Sequence, residues 1–178
     1  MSHDRRPVVR FQHLELTFAK GALTKDLCAE IDSFWCGVFG WRSDDVEYPE
    51  LDNLFQHRLH THGQTIVLAE SPEPMSLPAT PVGMGPGETV AVPHLGIELD
   101  TLEDLEWLLD ETRRFQAKDP RVKIWDAGEN RFPGHPGLHH GFLTTFLLPI
   151  WFDVYATRWD PGAEPERSWH YVGQVASE

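Results

Sequence analysis

The stretch Pro93-His94-Leu95-Gly96-Ile97-Glu98-Leu99-Asp100, running straight into Thr101-Leu102-Glu103-Asp104-Leu105, reads as a strand that hands over to a helix. Strand side chains alternate, so His94, Gly96 and Glu98 share one face while Leu95, Ile97 and Leu99 share the other. Thr101, with Asp104 three residues on, is a capping box and sets the start of the helix. A second stretch has the same form: Phe11-Gln12-His13-Leu14-Glu15-Leu16-Thr17-Phe18 carries the same alternation and the same His-Leu pair, and it too precedes a helix.

Outward from these two stretches the order of elements repeats. After a loose start over residues 1–7, a strand from about Val8 to Phe18 is followed by a helix from Thr24 to Phe39. That helix has Leu27, Ile31, Phe34, Trp35 and Val38 at three-and-four spacing and ends at Gly40. An acidic strand, Ser43–Tyr48, and a hairpin of Asn53–His62 with Gln64–Glu70, turning at Gly63, complete the first set. Prolines 72, 74, 78, 81 and 86 and glycines 83, 85 and 87 then mark a linker. It is either a simple tether, an arm across a dimer partner, or a shield over a cleft.

Beyond the linker come strand Val92–Leu99, a helix Leu102–Phe115 with Leu102, Leu105, Leu108, Leu109, Thr112 and Phe115 inward, and strand Arg121–Trp125. A glycine-rich loop reaches Gly141, and a hairpin follows, Phe142–Leu148 with Ile150–Thr157. The chain is therefore expected to hold a first βαβββ module (8–70), a linker (71–91), a second βαβββ module (92–158) and a polar tail (159–178). The predicted fold is α+β, with the two modules forming a curved mixed sheet around a cleft. Each copy of such a unit carries a half-finished sheet that the other can complete.

Composition fits this and narrows the function. The 178 residues, 40% hydrophobic, suffice for one domain with a real core. A net charge of −13 with no lysine or arginine run excludes a phosphate-tracking, nucleic-acid-binding surface. No apolar stretch reaches membrane-spanning length, and Met1–Arg10 lacks the apolar core of a signal peptide. Cys28 and Cys36 fall on one helix roughly 12 Å apart, at ~1.5 Å rise per residue, too far for a disulfide. These features fit a reduced, cytoplasmic protein.

Aligning the copies sets His13 against His94 and Gln64–Leu68 against Ile150–Val154. Val67 and Asp153 then face the same side as the histidines. Folded on a pseudo-twofold axis, the repeat brings His13, His94 and Asp153 into one cleft, with Val67 in the fourth place. Two imidazoles and one carboxylate form a facial triad that leaves sites open on a divalent metal. Glu98 is the alternative carboxylate, about 6.6 Å along the strand from His94. Trp151 and Tyr155, beside Asp153, either line an aromatic pocket or fill space.

These residues in this doubled order resemble the vicinal oxygen chelate superfamily, the group of glyoxalases, bleomycin-resistance proteins and ring-cleaving dioxygenases. The resemblance spans about Val8 to Arg158. It implies metal ligands on the first and last strands of each unit. Glyoxalase-type members fill all four places with protein ligands, which Val67 does not permit. Extradiol dioxygenases use two histidines and a glutamate; here the acid is Asp153, one methylene shorter. Two further stretches are extradiol-like: His94-Leu-Gly-Ile-Glu before Asp100-Thr-Leu-Glu-Asp-Leu, and Gly137-Leu-His-His-Gly-Phe leading to Pro149 and Phe152-Asp153-Val154-Tyr155. Leu143 occupies the place of that group's active-site tyrosine.

By this resemblance the cofactor is a divalent metal, Fe(II) first and Mn(II) second, and the partners are a small-molecule substrate and, for an oxygenase, dioxygen. A homodimer is a further expectation. His62 is the first candidate for the acid–base group and His60, otherwise a substrate contact, the second; His139 or His140 would contact substrate or bound oxygen. The leading expectation is a dioxygenase-like enzyme acting on a catechol-like or enolisable compound. The alternatives are a lyase, isomerase or thiol transferase of the same fold, and a non-catalytic pocket that sequesters a drug or metabolite.

Overall fold

Strand, helix and three strands occur twice in the computed structural model, which describes residues 12–51, 54–61, 63–76, 93–131 and 134–163. The first unit comprises β1 (His13–Ala19), α1 (Lys25–Trp35), β2 (Arg42–Tyr48), β3 (Leu54–His60) and β4 (Thr65–Ser71), with a 3-10 turn at Pro49–Leu51. The second comprises β5 (His94–Leu99), α2 (Leu102–Gln116), β6 (Lys123–Asn130), β7 (Gly137–Thr145) and β8 (Trp151–Trp159). Each unit makes a four-stranded mixed sheet, in the orders β1-β4-β3-β2 and β5-β8-β7-β6. In both, the first strand runs parallel to the last and the remaining pairs are antiparallel. A parallel pair cannot be joined by a tight turn, and the helix with its two following strands supplies the crossover.

Local chemistry starts both helices where the sequence places them. The Thr24 hydroxyl accepts from the Leu27 amide (3.2 Å) and the Thr101 hydroxyl from the Asp104 amide (3.0 Å). Thr101 also donates to the Asp104 carboxylate at 2.6 Å, which closes the capping box through side chains. Ile31, Phe34 and Trp35 of α1, and Leu105, Leu108, Leu109 and Thr112 of α2, are buried. The Thr112 hydroxyl, with no water to meet, donates back to the Leu108 carbonyl at 2.7 Å.

Apolar faces of both units merge into one core, and α1 makes the join. The Trp35 indole N–H donates to the Phe146 carbonyl (3.1 Å), and its ring centroid lies 4.4 Å from that of Phe152 on β8. Trp41 stacks on Trp35 at 5.0 Å, and Phe34 sits 5.2 Å from both Phe115 and Phe146. Arg121 bonds Glu30 across the join at 2.5 Å.

One expectation is corrected. The glycine-rich stretch before Phe142 is not a loop as far as Gly141: β6 continues to Asn130 and β7 begins at Gly137. Glycine is used there because β8 comes close. A Cβ on Gly141 would lie 2.9 Å from the Val154 carbonyl oxygen, and one on Gly137 would lie 2.7 Å from the Thr157 methyl. After β4 the chain stays beside β1 as far as Met75, whose amide donates to the Thr17 carbonyl at 3.0 Å. Residues 77–92, the expected start of the first strand at Val8, and the tail from residue 164 lie outside the described residues.

Candidate functional site

Register decides which side chains share a face. His13 pairs with Thr65 and Glu15 with Val67; His94 pairs with Trp151 and Gly96 with Asp153. Paired residues of neighbouring strands point to the same side. His13 and His94 are thus equivalent in the two sheets, as are Val67 and Asp153, and the sequence alignment of the two copies holds in the register. On β3, Arg58 lies opposite Val67 and His60 opposite Thr65; on β7, Leu143 lies opposite Asp153, Gly141 opposite Tyr155 and His139 opposite Thr157.

In the first unit this face forms a depression of about 250 Å³ lined by His13, Glu15, Gln56, Arg58, His60 and Val67 among others. The His13 Nδ1 lies 3.2 Å from the Gln12 amide oxygen. His60 is tied on both sides, to Asp44 at 2.9 Å and to the Thr65 hydroxyl at 3.2 Å. The Arg58 guanidinium bonds the Tyr48 hydroxyl and the Gln56 side chain, the latter at 3.1 Å. Among the described residues it has no carboxylate partner within 4.0 Å. It is a positioned cation facing a pocket, in a chain of net charge −13.

In the second unit the same face carries Asp153, Tyr155 and His139. Burial pushes the Asp153 carboxyl above its ordinary range, and the charge of His94 draws it part of the way back. Burial likewise raises the Tyr155 hydroxyl, with Glu98 and Asp153 adding to the effect. His139 moves the other way: burial lowers its pKa, and the neighbouring His135 lowers it further. Its Nε2 meets His135 Nδ1 at 2.8 Å, its Nδ1 meets the Thr157 hydroxyl at 3.2 Å, and its ring lies 5.5 Å from Tyr155. Trp151, paired with His94 across β5 and β8, is 2% exposed.

The remaining site expectations fall as follows. His140 pairs with Ala156, which lies with Val154 on the buried, helix-facing side of β8, so the register puts His139 and not His140 on the face of Asp153. His62 lies outside the described residues. His13, His94 and Asp153 are not gathered into a closed donor set. Among the described residues, Cys28, Asp45 and His57 alone form a group of three His, Cys, Asp or Glu with ligand atoms all within 4.8 Å of one another. Two imidazoles and a carboxylate are donors of a kind that suits a divalent ion; Asp153 feels the charge of His94, and His13 stands on the other sheet. Sequence reasoning passed over Glu15, Gln56 and Arg58. The available signal was their alternation with His13 and His60, which fixes the same face.

No family model and no curated protein sequence matches the chain. Solved structures do match. A glyoxalase/bleomycin resistance protein/dioxygenase from Nocardioides aligns with 91% of this chain and 91% of its own, at 14% identity and a TM-score of 0.50. A mutant of the fosfomycin resistance protein FosX from Listeria monocytogenes, complexed with Mn(II) and 1S,2S-dihydroxypropylphosphonic acid, aligns with 85% of this chain and 95% of its own, at 12% identity and a TM-score of 0.50. Likeness at such identities is likeness of fold. With its two four-stranded mixed sheets, each closed by a parallel pair of first and last strands, the chain has the vicinal oxygen chelate fold.

Proposed function

We propose that this chain is a divalent-metal-dependent enzyme, with His13, His94 and Asp153 as the ligands and a small molecule bound through two oxygens as the substrate. One observation carries the reading: His13 and His94 occupy the same register position in their two sheets, and Asp153 occupies the place two residues beyond the partner of His94. With Val67 in the fourth place, coordination positions remain for substrate and a co-substrate. A bound ion would supply positive charge to a developing oxyanion or enolate, or a place for dioxygen beside the substrate.

The chain's own groups have separate tasks. Asp153, desolvated and beside His94, is a carboxylate that a cation stabilises. His139, whose neutral form burial and His135 favour, is the acid–base group on the face of Asp153; its Nδ1 accepts a substrate proton when the Thr157 hydroxyl turns away. Arg58 takes an anionic substituent, while Leu143 and Val67 give the site apolar walls.

Two activities fit this arrangement. Dioxygenation of a catechol-like substrate with Fe(II) follows from the triad and its open positions. The lyase, isomerase or thiol-transferase reading is favoured by Arg58, a cation suited to an oxyanion-bearing substrate, and by Leu143 in place of a tyrosine. FosX was crystallised with Mn(II), so Mn(II) is the ion to load beside Fe(II).

Mn(II) also serves the test, because a hard ion avoids thiolate sites. One equivalent should bind, and His13→Ala, His94→Ala and Asp153→Ala should each weaken it by at least tenfold. Retention of Mn(II) by the His13→Ala/His94→Ala double variant would overturn the assignment. Oxygen uptake by the Fe(II) protein with a catechol panel supports the dioxygenase; turnover of oxyanion substrates with Mn(II) and no uptake supports the second activity. Undiminished ligand binding without metal would leave a sequestering protein.

A further inference from the structure

On the opposite face of the first sheet, beneath α1, a buried histidine has its own set of partners. His57 is 2% exposed and lies directly opposite Asp45 in the β2–β3 register. Its Nδ1 is 2.7 Å from Asp45 Oδ1 and its Nε2 is 2.9 Å from Asp32 Oδ1. Asp32 sits one turn beyond Cys28 on the same side of α1, and Cys28 is 4% exposed. We propose that Cys28, Asp45 and His57 form a second metal site, independent of the cleft, for an ion of the Zn(II) class, with Asp32 as the carboxylate that orients the histidine.

A neutral imidazole carries one ring proton, so one of its nitrogens presents a lone pair to an aspartate. Asp32 accepts on both oxygens besides its contact with His57: Oδ2 takes the Ser43 hydroxyl at 2.8 Å, and Oδ1 takes the Cys36 thiol at 3.5 Å. In the tautomer with the ring proton on Nε2, facing Asp32, Nδ1 turns its lone pair on Asp45. Two acceptors 2.7 Å apart repel unless a cation holds them, either a second ring proton or a metal ion. The third donor selects the metal. Cys28, Asp45 and His57 ligand atoms lie within 4.8 Å of one another. Bonds of ~2.0–2.3 Å in a tetrahedral site imply donor separations of about 3.3–3.8 Å, so Nδ1 and Asp45 need open by only about an ångström. A carboxylate on the far nitrogen of a ligating histidine is the usual second partner in such sites. Asp45, its side chain 48% exposed, leaves a path to solvent for the ion and for a water as fourth ligand.

Cobalt(II) reports both stoichiometry and thiolate ligation. It should be titrated into the His13→Ala/His94→Ala variant, which lacks the cleft imidazoles. The expected result is one equivalent bound, a near-ultraviolet thiolate-to-cobalt band and tetrahedral bands in the visible, all displaced by Zn(II). Adding Cys28→Ala should abolish the near-ultraviolet band, and Asp32→Asn should weaken binding 10–100-fold. Absence of the band, or a band indifferent to Cys28→Ala, overturns the proposal and leaves an imidazolium held between two aspartates. Should Cys28→Ala fail to fold, Asp45→Asn at the exposed edge carries the test: it must weaken Co(II) at least tenfold.

Discussion

Arg58 and His139 stand on corresponding faces of the two sheets, and each has a property that its neighbours impose. Arg58 is oriented by Tyr48 and Gln56 yet has no described carboxylate to neutralise it. A hydrogen bond to a charged group contributes about 1.5–3 kcal/mol, so Arg58→Met should raise KM for an anionic substrate roughly 10–100-fold and leave kcat within a few-fold. Equal losses in both constants would point to a collapsed site instead. His139 has a pKa below its ordinary 6.5 because burial, and then His135, disfavour its charged form. The unfolded chain therefore binds that proton more readily than the folded one. Its contribution is intact above about pH 6.5 and is lost as pH falls from there toward the lowered folded value. His139→Gln should flatten the stability curve in that window, as read by urea denaturation at several pH values. Asp153, shifted upward by burial, acts in the opposite sense: stability falls as pH rises from 3.8 through its raised folded pKa.

Caps and close approaches act at the scale of the element. Thr101→Ala removes the acceptor for the Asp104 amide and the partner of its carboxylate, and it should cost about 1 kcal/mol in chemical denaturation. Gly141→Ala should be worse, by about 1–3 kcal/mol. The new methyl would meet the Val154 carbonyl oxygen at 2.9 Å and the Tyr155 Cβ at 3.0 Å, neither of which can swing aside. Because Tyr155 shares the face of Asp153, Mn(II) affinity at the proposed site should drop with stability in this variant, whereas Thr101→Ala should leave it unchanged. Strand limits were least legible in the sequence for this same reason. Gly137 and Gly141 look like loop residues, yet each marks where one backbone must pass close to another.

For the whole molecule, the join between the units is aromatic rather than ionic. Trp35→Ala deletes a fully buried indole, its bond to the Phe146 carbonyl and its packing on Trp41 and Phe152. It should destabilise by about 3–5 kcal/mol. Arg121→Ala, which removes the half-exposed pair with Glu30, should destabilise far less in the same denaturation measurement. The sequence alone determined the doubled strand-helix-strand order, both helix starts, the buried stripes and the common face of each histidine. These depend on spacing along the chain, where periods of two and of 3.6 residues act within a few neighbours. Only the tertiary structure decided that His139 and not His140 faces Asp153, that Arg58 has no carboxylate partner among the described residues, and that His57 is clasped by Asp32 and Asp45 beneath α1. Such properties belong to pairs of residues brought together from distant segments, and register and packing choose those pairs.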